Sequence, residues 1–172
     1  NKKKVYHITG GLEPLTFPRI GELVSYGNQS GFDMEIQTNG SYLTSKFIEK
    51  HPGIKDLSVL RISLYGVDSD STFEVTKNKK AYDMVKENLI NFLKLNTKTK
   101  LGLNYVILHN RIDDILKLLD YIEEINMKSN NQVEFLTLRE DFSEESHDIL
   151  GDERKKMYNI FNKIQKRLES KN

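Results

Sequence analysis

The sequence predicts an α/β fold: an open parallel sheet of about five strands with helical crossovers, or an arc of a partial barrel. Three observations carry that expectation. Short apolar runs alternate with amphipathic helical stripes from end to end. The segments between runs are long enough for helices, and a parallel crossover needs a dozen or more residues. Strict βα alternation gives either a doubly wound sheet or a barrel. A closed eight-unit barrel takes roughly 250 residues, and this chain has 172.

The elements follow in order. Val5–Thr9 is the first strand. Pro18 suits the first turn of the next helix, where its missing N–H costs nothing, and Ile20, Leu23 and Val24 mark one face. Asp33–Thr38 is the second strand. Ser41 is a candidate cap for a helix carrying Leu43, Phe47 and Ile48, which His51-Pro52-Gly53 stops. Leu57–Leu64 is the third strand, followed by a polar loop over residues 67–76. A helix over residues 79–95 carries Tyr82, Val85, Leu89 and Phe92 on one stripe. Leu101–Leu108 is the fourth strand. Asn110 is a candidate cap for the next helix, with Asp113 and Asp114 in a first turn whose dipole favours carboxylates. Ile115, Leu118, Leu119, Ile122 and Ile125 stripe that helix. Val133–Leu138 is the fifth strand, and a charged loop leads to a last helix from Asp152. One domain over residues 1–172 is expected, with βα units over 1–142 and a loop and helix over 143–172.

Composition narrows the function. The net charge is +1 with both signs interspersed, so the basic excess of a nucleic-acid binder is missing. No apolar run approaches the ~20 residues of a membrane span, and no signal peptide is read at the N-terminus. A cytoplasmic protein that binds neither nucleic acid nor membrane is expected. There is no cysteine, which excludes disulfides and thiolate metal sites within the chain. No metal ligand is assigned. The chain opens almost directly on an apolar strand, which predicts a piece cut from something longer.

Parallel βα folds bind ligands at the carboxyl ends of the strands. Candidates there are Thr9, Gly10, Gly11 and Glu13, then Gln37, Thr38 and Asn39, then Ser63 and Tyr65. Asn104 and His109 follow on strand four, and Thr137, Arg139, Glu140 and Asp141 at strand five. Glycine lets a backbone approach a ligand closely. Each candidate also has a plainer reading. Gly10-Gly11 and Asn39-Gly40 are also common turn sequences. Ser63 is also a local hydrogen-bonding residue, and Arg139-Glu140-Asp141 a solvated turn. His7 reads as a satisfied core or edge residue, His51 as a surface residue and His109 as a loop histidine.

The combination Gly10-Gly11-Leu12-Glu13-Pro14, Thr38-Asn39-Gly40 and Ile62-Ser63-Leu64-Tyr65-Gly66 resembles the core of the radical S-adenosylmethionine (SAM) enzymes over about residues 4 to 140. The first run is similar to that family's Gly-Gly-Glu-Pro turn, with Leu12 inserted. The resemblance implies an arc of a partial (β/α)6 TIM-like barrel. It implies SAM as cofactor, with Gly10, Gly11, Glu13, Thr38, Asn39, Ser63 and Asn104 as its contacts. It implies reductive cleavage of SAM by a [4Fe-4S] cluster, and a 5′-deoxyadenosyl radical that abstracts a substrate hydrogen. Arg139, Glu140 and Asp141 are then candidate contacts to a small-molecule or peptide substrate. The family's Cys-x-x-x-Cys-x-x-Cys loop has no counterpart here. No cluster is therefore expected in this chain, which is expected to be inactive by itself. The Val5–Thr9 strand becomes an exposed edge and a site for self-association. Two other readings stay open: a non-catalytic module binding a nucleotide or a partner, and an unrelated sugar-phosphate enzyme of parallel α/β fold.

Overall fold

Five strands lie side by side in the order in which the chain makes them, all parallel. They are β1 (Lys4–Ile8), β2 (Phe32–Thr38), β3 (Val59–Leu64), β4 (Lys100–Ile107) and β5 (Phe135–Glu140). The computed structural model describes residues 4–95, 97–108, 111–140 and 152–169. Sequential order decides between the two architectures left open by alternation. A doubly wound sheet reverses its strand order at a switch point, whereas a barrel adds each strand beside the last. This is an arc of a barrel.

The strands alternate accordingly. Met34 and Ile36 on β2, Leu60 and Ile62 on β3, and Leu101, Leu103 and Tyr105 on β4 are buried. They join one apolar cluster with Val24, Leu89, Phe92, Ile115, Leu118 and Ile125 from the helices. Those helices are α1 (Ile20–Gln29), α2 (Ser45–Lys50), α3 (Ser69–Thr76), α4 (Ala81–Leu93), α5 (Asp114–Met127) and α6 (Asp152–Glu169). The opposite, inner face carries Glu35, Gln37, Arg61, Ser63, Asn104, Thr137 and Arg139 in matched register. A parallel sheet clad by helices on both faces reads as continuous apolar runs. Here the buried apolar side chains of β2 and β3, and Leu101, Leu103 and Tyr105 of β4, fall at every second residue, as an arc with a single outer layer of helices requires.

Several boundaries differ from expectation. Residues 67–76 are not all loop, because α3 lies within them. The Ser71 N–H donates to Asp68 Oδ1 at 2.8 Å and the Asp68 N–H to Ser71 Oγ at 3.2 Å, a capping box. The Ser71 hydroxyl, which donates to Asp68 Oδ1, and then the Ser71 N–H hold the Asp68 carboxyl below the usual range. Ser41 caps no helix; the Phe47 N–H donates to Thr44 Oγ1, so α2 begins later. The fifth strand starts at Phe135 rather than Val133, because the Val133 N–H donates to the Asn126 side chain. The first ends at Ile8, before the turn. His51 is buried, not a surface residue, and its ring lies 4.5 Å from that of Phe47. The expected cap Asn110 lies outside the described residues. β1 forms one edge of the sheet, with Val5 and Tyr6 about half exposed. Among the described residues no helix is long and apolar enough to cross a membrane.

Candidate functional site

The chain leaves β1 through Gly10 and Gly11, whose φ angles are +89° and +62°. That left-handed backbone strains any residue with a Cβ. A Cβ built at either position would meet nothing within 4 Å, so conformation, not crowding, selects glycine here. Leu12 follows and is 87% exposed. The inserted residue is thus pushed into solvent, and Glu13 returns to the sheet.

Glu13 ties this turn to the end of β2. Its Oε1 accepts from the Leu15 N–H at 3.1 Å and the Thr38 hydroxyl at 2.5 Å, and its Oε2 accepts from the Asn39 N–H at 2.9 Å. A carboxylate has about four lone-pair sites, so one remains. Thr38, buried, also accepts from the Gly40 N–H at 3.1 Å. The Asn39 side chain accepts from the Ser41 N–H and hydroxyl. Glu13, Thr38 and Asn39 therefore shape the rim through bonds to one another. Asn88, on α4, completes it. Its side-chain amide, buried, donates to the carbonyls of Gly40 and Ser41 at 2.9 and 3.2 Å. Sequence reading missed Asn88, although an amide beside Leu89 on an apolar stripe is the signal that marked it.

Ser63 and Asn104 sit on the inner face, facing each other in register, with Thr137 next in the row. Gln37 Nε2 donates to Ser63 Oγ at 3.2 Å. Asn104 is only 4% exposed, and among the described residues neither its amide nitrogen nor its amide oxygen has a hydrogen-bond partner. A buried polar group without a partner costs about 1–3 kcal/mol, so an orphaned amide within β4 calls for one. Beside this row a cavity of about 180 Å³ opens between the ends of β2 and β3 and helices α3 and α4. Asn39, Ser63, Tyr65, Thr72, Tyr82 and Tyr121 line it.

Arg139 lies exposed near the end of β5, one pleat beyond Thr137 on the same face. Glu140 ends β5, and Asp141 and His109 lie outside the described residues. The structure thus brings Gly10, Gly11, Glu13, Thr38 and Asn39 into one rim and sets Ser63 and Asn104 in one inner row. Tyr105 supports the same end of the sheet from outside. Its hydroxyl donates to Asp114 Oδ2 at 3.3 Å, and burial, then the Asp114 charge, push it above the usual tyrosine range. Among the described residues no group of three or more His, Cys, Asp or Glu side chains is placed to hold a metal ion.

No family model matches the chain. It is 30% identical over 171 residues to the dTDP-4-amino-4,6-dideoxy-D-glucose ammonia-lyase of Streptomyces venezuelae, which covers 96% of this chain and 35% of the relative. It is 39% identical over 59 residues to the AdoMet-dependent heme synthase of Methanosarcina barkeri, covering 33% of this chain and 17% of that one. The fold matches Streptococcus suis SuiB bound to S-adenosylmethionine at a TM-score of 0.72 and 19% identity, over 95% of this chain and 35% of that one. The chain therefore spans about a third of the length of the first curated relative.

Proposed function

The chain belongs to the radical SAM enzyme superfamily, and from that premise we propose that its strand-end rim is the SAM-binding part of an enzyme that activates a substrate by hydrogen abstraction. The observation that carries this reading is Asn104, whose buried amide has a donor and an acceptor to offer and no partner. Ser63 and Asn104 suit the hydroxyl and carboxylate groups of SAM. The open left-handed turn at Gly10-Gly11 suits its ammonium through backbone carbonyls, with the remaining lone pair of Glu13 alongside. Thr38 and Asn39 act through the rim they build. When bound beside a reduced cluster, SAM supplies a hydrogen-abstracting radical. The residues present do not fit that cluster, since it is held by thiolates and the chain has no cysteine. Its ligands belong to sequence outside these 172 residues, and the chain alone binds SAM without cleaving it.

The substrate enters at the open end of the arc, past Arg139, with Glu140 and Asp141 following it in the chain. An arginine there suits a phosphate or carboxylate. The nucleotide-linked amino sugar in the name of the Streptomyces relative is the first substrate to supply. Calorimetric titration of SAM into the protein tests the cofactor reading. Binding is expected, weakened at least about tenfold, or 1.4 kcal/mol, by Asn104→Leu. An absence of SAM binding, or equal affinity in Asn104→Leu, overturns it.

A further inference from the structure

Below the Ser63–Asn104 row, one pleat down at Arg61 and two at the level of Glu35 and His7, the inner face carries an ionic cluster that SAM binding does not use. His7 Nε2 lies 2.5 Å from Glu35 Oε2, and Arg61 Nη1 donates to the same oxygen at 2.5 Å. Glu35 is buried. The Arg61 guanidinium lies 5.3 Å from the centre of the Phe135 ring. Phe135 in turn fills the space over Gly102, where a Cβ would stand 2.1 Å from its ring. Arg61 is therefore held from both sides, and its charge is met by Glu35. A buried ion pair is weak evidence for stability, because desolvation offsets most of the attraction. Apolar residues would pack an inner layer at less cost.

His7 is the open member. Its side chain is 46% exposed. Its Nε2 faces the carboxylate, so the neutral ring carries its hydrogen there and leaves Nδ1 as the acceptor. A carboxylate that fixes the tautomer and orientation of an imidazole is the arrangement of a histidine general base. We infer that His7 is a proton-exchanging residue for the ligand bound on the inner face, oriented by Glu35, which is itself anchored by Arg61. The inference rests on the reading that this face receives a substrate. In the forward step a hydroxyl or ammonium X–H bond of the ligand breaks and an Nδ1–H bond forms. The electron pair stays on the ligand heteroatom, and Glu35 faces the imidazolium. The ligand class is one with an exchangeable hydroxyl or amine proton. Among the described residues Glu35 on β2 and Arg61 on β3 are the charged groups in contact with His7, and Asp33 lies one pleat lower on β2.

Two measurements test this separately from the cofactor reading. Long-range ¹H–¹⁵N NMR of the histidine rings is expected to show the neutral form of His7 carrying its hydrogen on Nε2, a preference lost in Glu35→Leu. The opposite tautomer, or an even mixture in the native protein, overturns the inference whether or not SAM binds. In the natural protein carrying this segment, with its cluster reconstituted and the nucleotide-linked amino sugar supplied, His7→Gln is expected to slow conversion on the order of 10²-fold. The pH profile should lose one inflection, and imidazole should partly restore His7→Ala. Unchanged conversion, or a loss with no change in pH profile and no rescue, overturns it. Loss of SAM binding in the native protein overturns the cofactor reading instead.

Discussion

On the outer face of the sheet Ile36, Ile62 and Leu103 are sealed beneath helices; one residue on, Gln37, Ser63 and Asn104 put two amides and a hydroxyl on the inner face. The same three strands thus carry two chemistries, separated by the twofold period of a strand. The outer face supplies the burial that holds the arc together. The inner face gives up that stabilisation and keeps polar groups, one with no partner among the described residues. Stability and function occupy alternate positions of one backbone.

The largest effect should come from the outer face. Leu103→Ala leaves a cavity in a fully buried position and is expected to cost about 2–5 kcal/mol in urea unfolding; a loss as small as that of Ser63→Ala would erase the contrast between faces. The rim comes next. Glu13→Ala removes three hydrogen bonds to a charged acceptor, and a destabilisation of roughly 2–3 kcal/mol is expected. A neutral result would mean that the rim is held by packing alone. Asn104→Leu sharpens the comparison because its sign reverses. Removing an orphaned buried amide is expected to stabilise the free protein by about 1 kcal/mol while weakening SAM binding; destabilisation would show that the amide serves the fold. The smallest effect lies far from both faces. Lys128, then Lys86, hold the Glu124 carboxyl down to about 2 from an ordinary 4.5. Its contribution is present above pH 4.5 and lost as pH falls toward 2. Glu124→Gln should flatten that part of the acid-stability curve slightly, and an unchanged curve would show the pairs to be fully screened.

Much of this was legible in advance. The five strands, the helix stripes and the candidate rim residues all carry local signals, either a period or a turn dipeptide. The rest failed where neighbouring residues compete for one partner, or where the deciding contact is distant in sequence. Helix α3 reads as loop from the sequence because its stripe is weak, although Asp68 and Ser71 carry its cap. Ser41 and Thr44 are equally good caps on paper; Asn39 claims Ser41 and leaves Thr44 to begin α2. His51 looked like surface because Pro52 follows it, yet it is enclosed by Phe47 and by the close approach of Gly21.

The sequence by itself determined the βα alternation, the exclusion of thiolate chemistry within the chain and the glycine turn, because each follows from residue type or short-range spacing. Only the tertiary structure decided that the sheet is a singly wound arc. It alone showed that Glu13 bonds across to β2, that Asn104 is buried without a partner, and that His7, Glu35 and Arg61 meet. Those facts depend on which strands lie side by side, and strand pairing joins residues tens of positions apart that no local pattern connects.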